Sequence, residues 1–416
     1  MFSFFERLIK PFPSQTPKQP PKNLVAFCRY YSKGMWHILF TVSILSALIA
    51  IVEVSFFGFM GQLVDWFATR DPSTFIAQEK TRLIWMGLLV LVVLPGLVAL
   101  QALLTHQTLL GNYPMRIRWF AHKYLLKQSL AFYQDEFAGR VATKVMQTAL
   151  SGRETVMKVL NLAVYICVYF ISVVVLVFST DWRLAIPLIV WLIAYIFILR
   201  VLLPKLGQVS QKQADARSIM TGRIVDSYTN IMTVKLFSHH KREENYAQEG
   251  MNGFLQTVYP QMRLVTTLQA LVWGINSLLV FSISALAIYL WVIGGVTPGD
   301  IAIAVSLSLR LNGMSQWIMW EVSSLFENIG TVQDGINMLA RPTSIKDKAD
   351  AGELKIDGGR IDFDKVNFSY LGKNEKTIDV FNALNINVAA GEKIGLVGRS
   401  GAGKSTLVNL LLRFYD

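Results

Sequence analysis

The residues with the plainest chemical content are Gly398-Arg399-Ser400-Gly401-Ala402-Gly403-Lys404-Ser405. They fit the pattern G-x-x-x-x-G-K-[ST], in which glycines let the backbone curl until several N–H groups face one phosphate. Lys404 would supply a mobile cation for the outer phosphates, and the Ser405 hydroxyl a hard oxygen ligand for Mg²⁺. Such a loop works only between a strand and a helix, whose N-terminus adds favourable partial charge. The sequence provides both: the apolar run Ile394–Val397 reads as a buried strand, and Thr406–Leu412 reads as a helix. The loop is therefore expected to hold the phosphates of a nucleotide.

The elements that must position this loop begin near Gly359. RIDFDKVNFSY alternates apolar and polar residues in the manner of a strand, and VFNALNINVAAGEKIGLVG offers two further strands divided by a turn at Ala390-Gly391-Glu392. Residues 359–416 thus read as the N-terminal part of an α/β domain. The turn-rich stretch 331–358 reads as a linker.

The rest of the chain is of another kind. Of its 416 residues, 53% are hydrophobic and 16% charged, and the mean hydropathy is +0.41. Soluble domains carry about 25% charged residues, so much of this chain is solvated by lipid. Six stretches are long enough to cross a bilayer as helices: Ile38–Met60, Leu83–Leu104, Leu162–Ser179, Leu184–Leu203, Leu268–Ile293 and Ile301–Leu325.

The net charge of +12 comes from basic residues gathered in the N-terminal tail and two long inter-span segments. The short connections hold Arg70, Lys80 and Arg82, then Arg183 alone, then none. By the positive-inside rule, the tail, the long segments and the phosphate loop face the cytoplasm. No groove of basic and aromatic residues suggests nucleic acid. The long segments, Thr105–Asn161 and Pro204–Thr267, keep helical periodicity. They are expected to prolong the membrane helices into the cytoplasm and to fold back through short transverse turns.

At this point the chain resembles the ATP-binding-cassette exporters in their half-transporter form, one membrane domain fused ahead of one nucleotide-binding domain. The resemblance rests most firmly on FDKVNFSY followed by GEKIGLVGRSGAGKSTLVNLLLRFYD. It implies a six-helix membrane domain over 24–330 with long cytoplasmic extensions, ATP and Mg²⁺ as ligands of Gly398–Thr406, and Tyr370 as the aromatic that stacks on adenine. AFYQDEFAGRVATKVMQTA and IVDSYTNIMTVKLFSHHKREENY are similar to the two coupling turns that dock on nucleotide-binding domains. The family works as a dimer, homomeric or heteromeric, in the bacterial inner membrane, and exports an amphipathic molecule such as a drug or lipid. It cuts ATP with a signature serine-glycine motif and carboxylates found downstream of the phosphate loop. These are expected beyond Asp416, so the 416 residues are expected not to hydrolyse ATP alone. The alternatives are an ATP-binding regulatory half of a heterodimer, or a nucleotide-gated channel.

Charges inside spans mark function by default, because each is costly in hydrocarbon. Glu53 and Arg310 lie well inside the first and sixth spans. Ser306, Arg310, Gly313, Trp317 and Glu321 share one helical face, a polar stripe suited to a water-filled cavity. Arg310 and Trp317 would meet cargo there, or Arg310 would pair with Glu53. Glu321 and Arg200, nearer the cytoplasmic ends, are expected to snorkel. His239-His240 lacks the spacing of a closed metal site. Cys28 and Cys167 lie in segments of different character and no disulfide is expected. Residues 1–23, rich in proline, read as a flexible tail.

Overall fold

The computed structural model describes residues 2–135, 138–347, 350–352, 355–356, 358–371 and 377–415. Two short helices, α1 (Phe2–Glu6) and α2 (Leu24–Tyr31), precede the first long one, α3 (Trp36–Thr69). Next come α4 (Pro72–Leu88), α5 (Leu94–Ala102) and α6 (Asn112–Leu125), which π-helical turns at Leu89–Val93 and Leu103–Leu110 join into a rod. The first of these turns lies within a turn of Pro95, whose ring removes a backbone donor. After α7 (Leu130–Asp135), α8 (Ala138–Met157) runs through another π turn, Lys158–Leu162, into α9 (Ala163–Thr180). The bundle is completed by α10 (Trp182–Thr229), α11 (Ile231–Leu236), α12 (His240–Val292) and α13 (Pro298–Leu339).

Among the described residues, five of these stretches are long and apolar enough to cross a membrane: Trp36–Thr69, Pro72–Leu125, Gly139–Thr180, Trp182–Thr229 and His240–Val292. The expected sixth span lies in α13, which is 42 residues long but less apolar. It carries Arg310, Asn312, Gln316 and Glu321 and compensates by packing against α3, α8 and α12. A polar membrane helix is tolerated where it faces protein or a water-filled cavity. Helices α10 and α12, of 48 and 53 residues, reach ~70–80 Å at 1.5 Å per residue. That far exceeds a hydrocarbon core of about 30 Å, so both prolong their spans well beyond it. They pack along one another and fold back through α11, as α6 and α8 do through α7. Glu136 and Phe137 of the first turn lie outside the described residues.

At the opposite end the turns are short and capped. Asp71 accepts the Ser73 N–H at the start of α4 (2.9 Å), and Asp181 that of Arg183 at the start of α10 (2.8 Å). Thr297 and Asp300 form a reciprocal capping box on α13. Asp65 of α3 accepts the Gly299 N–H (2.8 Å) and the Thr297 hydroxyl (2.9 Å), tying α3 to α13.

Residues 2–23 are not detached from the bundle. The Trp119 indole N–H donates to the Pro13 carbonyl (3.1 Å), Lys123 Nζ to the Ser14 carbonyl (3.1 Å), and Phe12 meets Trp119 edge-on. Ile9 is buried. A proline-rich segment exposes backbone carbonyls that cannot all be paired internally, and donors on α6 supply the partners. Nor does the linker begin at 331: α13 continues to Leu339, with Val332, Ile336 and Leu339 buried. The carbonyls just past its end are met by side chains from elsewhere, Gln19 on Ala340 (2.8 Å) and Tyr124 and Gln128 on Arg341 (2.7 and 3.0 Å).

Beyond it, β1 (Ile361–Leu371) and β2 (Thr377–Val388) pair antiparallel, Ile361 opposite Val388 and Tyr370 opposite Ile378. The short helix α14 (Lys404–Leu411) follows. The turn between the strand candidates holds: Glu392 N–H donates to the Ala389 carbonyl (3.0 Å), its carboxylate accepts from Ala389 N–H (2.8 Å), and Gly391 has φ +78°. Ile394–Val397 is not a buried strand. It joins no ladder among the described residues, and Val397 is 97% exposed. An apolar strand of this kind needs a neighbour on each side, and β1–β2 is the only pair the described residues form.

Candidate functional site

The phosphate loop ends where the sequence places it. Gly401 and Gly403 both adopt φ +86°, a left-handed conformation that strains any other residue. Gly403 also has no room for a side chain, since a Cβ there would lie 2.8 Å from the Phe381 ring of β2. Gly398, Arg399, Ser400, Gly401, Ala402 and Ser405 are exposed, while Thr406 is buried. Lys404, the first residue of α14, folds back: its Nζ donates to the carbonyls of Gly398 (2.7 Å) and Arg399 (2.9 Å). The ammonium thus spans the mouth of the loop. Tyr370 comes to the same place from β1. Its hydroxyl shares a hydrogen bond with Thr406 Oγ1 (3.1 Å), and its ring meets Phe368 and Tyr415 edge-on at 4.9 and 5.3 Å. Pattern matching could not have found the Thr406 bond, which joins residues 36 positions apart.

The arrangement has the features of an anion cradle: an exposed loop, a helix N-terminus behind it and one mobile cation. The Ser405 hydroxyl fits a Mg²⁺ as one ligand. Since Mg²⁺ demands near-octahedral oxygen, the others would be phosphate and water.

The second set of candidates lies in the bundle. Arg310 Nη2 is 3.4 Å from Glu53 Oε2, so the pair expected across α3 and α13 forms. It does not seal Arg310 away, because its side chain remains 51% exposed. The Tyr165 hydroxyl donates to the same Glu53 oxygen (2.7 Å), and its ring meets Trp317 edge-on at 6.1 Å. Arg310, Gly313 and Trp317 of the stripe, with Tyr165 and Met314, line a cavity of about 260 Å³. Trp317, Tyr165 and Glu321 also border a larger one of about 450 Å³. Glu321 does not snorkel. It pairs with Lys158 of the π turn at 2.7 Å. Tyr165 and Lys158 were missed in the sequence, although their spacing of seven places them on one helical face.

A third cluster is buried except for Asn312, which is half-buried. Asn276 of α12 accepts the Trp191 indole N–H (2.8 Å) and donates to Asn312 Oδ1 (3.0 Å) and Ser315 Oγ (2.7 Å), while the Tyr195 hydroxyl donates to the Ser315 carbonyl (2.8 Å). It fastens α10, α12 and α13 together. His239 and His240 join no metal-binding group among the described residues, and both cysteines are free.

A bundle of long membrane helices with turned-back extensions, continuing into a strand pair and a phosphate loop, is the architecture of an ATP-binding-cassette exporter. The family model for the ABC transporter transmembrane region matches residues 38–314, and that for the ABC transporter domain matches 381–416. The chain belongs to the ABC transporter family. It is 49% identical over 418 residues to an uncharacterized ABC transporter ATP-binding protein of Haemophilus influenzae, covering 100% of this chain and 67% of that one. It is 26% identical over 297 residues to an ATM1-type heavy metal exporter of Novosphingobium aromaticivorans, covering 70% of this chain and 48% of the relative. The structure of a bacterial Atm1-family ABC exporter with ATP bound superposes with a TM-score of 0.74 at 21% identity, over 90% of this chain and 65% of that one. The chain spans about two thirds of the first relative's length and about half of the second's.

Proposed function

We propose that the protein is a subunit of an ATP-driven exporter that moves an amphipathic or hydrophobic molecule, drug-like or lipid, out across the bacterial inner membrane. The observation that carries the reading is the open glycine loop of 398–405, with Lys404 across its mouth, joined through α13 to a bundle holding a polar-lined cavity. Two such subunits, alike or different, would form the transporter, with α7 and α11 as the turns that receive motion from the nucleotide-binding side. The positive-inside rule puts these turns, the N-terminus and the loop in the cytoplasm.

ATP binding would require Lys404 Nζ to exchange the carbonyls of Gly398 and Arg399 for phosphate oxygens. The N–H groups of 401–406 would point at the phosphates, Ser405 would hold Mg²⁺, which neutralises phosphate charge, and Tyr370 would offer its ring to adenine. Movement at the loop would reach the membrane through Ala340 and Arg341, whose carbonyls are held by Gln19, Tyr124 and Gln128. Residues 1–416 alone are proposed not to turn ATP over, because no motif among them supplies the signature serine-glycine or the attacking-water carboxylate. The test is ATP-dependent uptake of fluorescent amphiphiles into inverted membrane vesicles carrying the protein as the cell makes it. Uptake abolished by Lys404→Ala supports the reading; uptake unchanged by that substitution overturns it.

A further inference from the structure

We propose that the N-terminal segment carrying α1, with Arg7 and Lys10 beside it, is an interfacial anchor that gathers anionic phospholipid in the cytoplasmic leaflet. This role rests on the cytoplasmic placement proposed above and not on transport.

The segment is held at the level of the headgroups by the helix that leaves the membrane beside it. The Thr108 hydroxyl donates to the Phe5 carbonyl (2.9 Å), and the Asn112 amide to the Glu6 carbonyl (2.9 Å). Thr108 lies one turn past Leu104, where the second span ends, which is about 6 Å along a helix. The headgroup layer adds about 5–7 Å to each side of the hydrocarbon. Ile9 is buried in the cluster that also holds Leu109 and Ile38, the first residue of the first span. Further along, Trp119 and Lys123 fix Pro13 and Ser14, so the segment is fastened on either side of Arg7 and Lys10.

What it turns outward is of two kinds. Phe5 and Ile9 pack against the bundle, but Phe2 and Phe4 are 56% and 66% exposed, and Leu8 is exposed as well. Rings and aliphatic chains at this level are favourably placed in the boundary between headgroups and acyl chains. Arg7 and Lys10 are also exposed. From Phe2 to Val52, Arg7, Lys10, Lys18, Lys22, Arg29 and Lys33 meet one acidic residue, Glu6, and the basic stretch Thr105–Gln134 meets none. Among the described residues, none of these basic side chains is in an ion pair. Arg116 of α6 adds a further sign. Its Nη2 donates to the Lys33 carbonyl (2.8 Å), while its Nε is buried without a hydrogen-bond partner. Apolar side chains set among unpaired cations fit a surface that is apolar within and negative at its rim. The cytoplasmic leaflet has that character, because its anionic lipids attract basic segments beside a span.

A fluorophore reports the anchor directly. Nitrobenzoxadiazole is attached at Ser3→Cys in a Cys28→Ala and Cys167→Ser background, and the whole protein is placed in nanodiscs. The discs hold phosphatidylcholine alone or with about one third phosphatidylglycerol, each with a phosphatidylcholine quencher that carries its doxyl group near the headgroup. Quenching is expected in both and to be at least twofold stronger in the anionic discs. Arg7→Gln with Lys10→Gln should remove that difference, whereas Lys127→Gln with Lys235→Gln, the same loss of charge at the two fold-back turns, should preserve it. Phe2→Ser with Phe4→Ser should lower quenching in both discs, and thermal unfolding shows that each variant keeps its bundle. Equal quenching in the two discs, a difference that survives Arg7→Gln with Lys10→Gln, or a probe that stays in water in both would overturn the proposal. Sidedness is read separately, by an impermeant maleimide on unlabelled Ser3→Cys: reaction in inverted vesicles is expected, and reaction only in right-side-out vesicles would overturn the cytoplasmic placement. Uptake that depends on Lys404 would leave the export reading intact whatever the lipid result.

Discussion

The buried polar cluster around Asn276 yields the most exacting stability prediction. Asn276 is fully buried and spends its side chain on Trp191, Asn312 and Ser315. Interhelical hydrogen bonds within membranes average about 0.6 kcal/mol and reach about 1.7, so three of them amount to about 2 kcal/mol. Asn276→Ala removes all three at once. The Trp191 ring cannot easily turn toward another acceptor, since it is stacked between Phe170 and Tyr195 at 6.3 and 5.2 Å. Its stranded N–H adds about 1 kcal/mol or more. The expected total is ~2–3 kcal/mol, read as the shift in equilibrium unfolding in mixed micelles. Ser323→Ala is the reference, because among the described residues Ser323 bonds the Met319 carbonyl of its own helix alone (2.9 Å), and it should cost little. A Trp191→Phe and Asn276→Ala double-mutant cycle should show coupling. An Asn276→Ala shift no larger than that of Ser323→Ala, or no coupling in the cycle, would refute the reasoning.

Two other predictions concern close packing and thiol chemistry. A Cβ on Gly299 would fall 2.3 Å from the Gly61 carbonyl and 2.4 Å from Asp65 Oδ2, so Gly299→Ala should separate α3 from α13 and cost about 1–3 kcal/mol; Gly253→Ala, with nothing within 4 Å, should stabilise by up to about 1 kcal/mol, both by thermal unfolding. Burial pushes the Cys28 thiol up to about 11, so its thiolate, the reactive form, is scarce at neutral pH. Maleimide labelling of Cys28 in a Cys167→Ser background should be about 100-fold slower at pH 7.5 than for an ordinary thiol, and should accelerate as pH rises toward 11 or on unfolding. Rapid labelling of the folded protein at pH 7.5 would count against that burial.

How much of this was legible in the sequence depends on the range of the signal. The glycine-rich turn ahead of α14 could be read because its glycines, lysine and serine fall within eight consecutive residues, and Gly401 and Gly403 adopt the left-handed conformation that glycine permits. The spans could be read because lipid selects apolar composition locally. Helix α13 was harder, since it is made tolerable by neighbours rather than by its own hydropathy. The Lys158–Glu321 pair joins residues on different helices, and a residue's partner across a bundle is not a local property. The contacts of the tail were not legible for the opposite reason: proline-rich composition predicts missing internal bonds but says nothing of donors such as Trp119 and Lys123 that replace them. Ile394–Val397 shows composition without context, an apolar strand pattern that forms a ladder only beside other strands.

Residues 398–405 are proposed to hold the phosphates of MgATP. Photolabelling of the purified protein in nanodiscs with azido-ATP tests it most directly. Labelling is expected that excess MgATP chases and that Lys404→Ala lowers at least tenfold, with Arg310→Gln unaffected. Labelling that survives Lys404→Ala undiminished would contradict it.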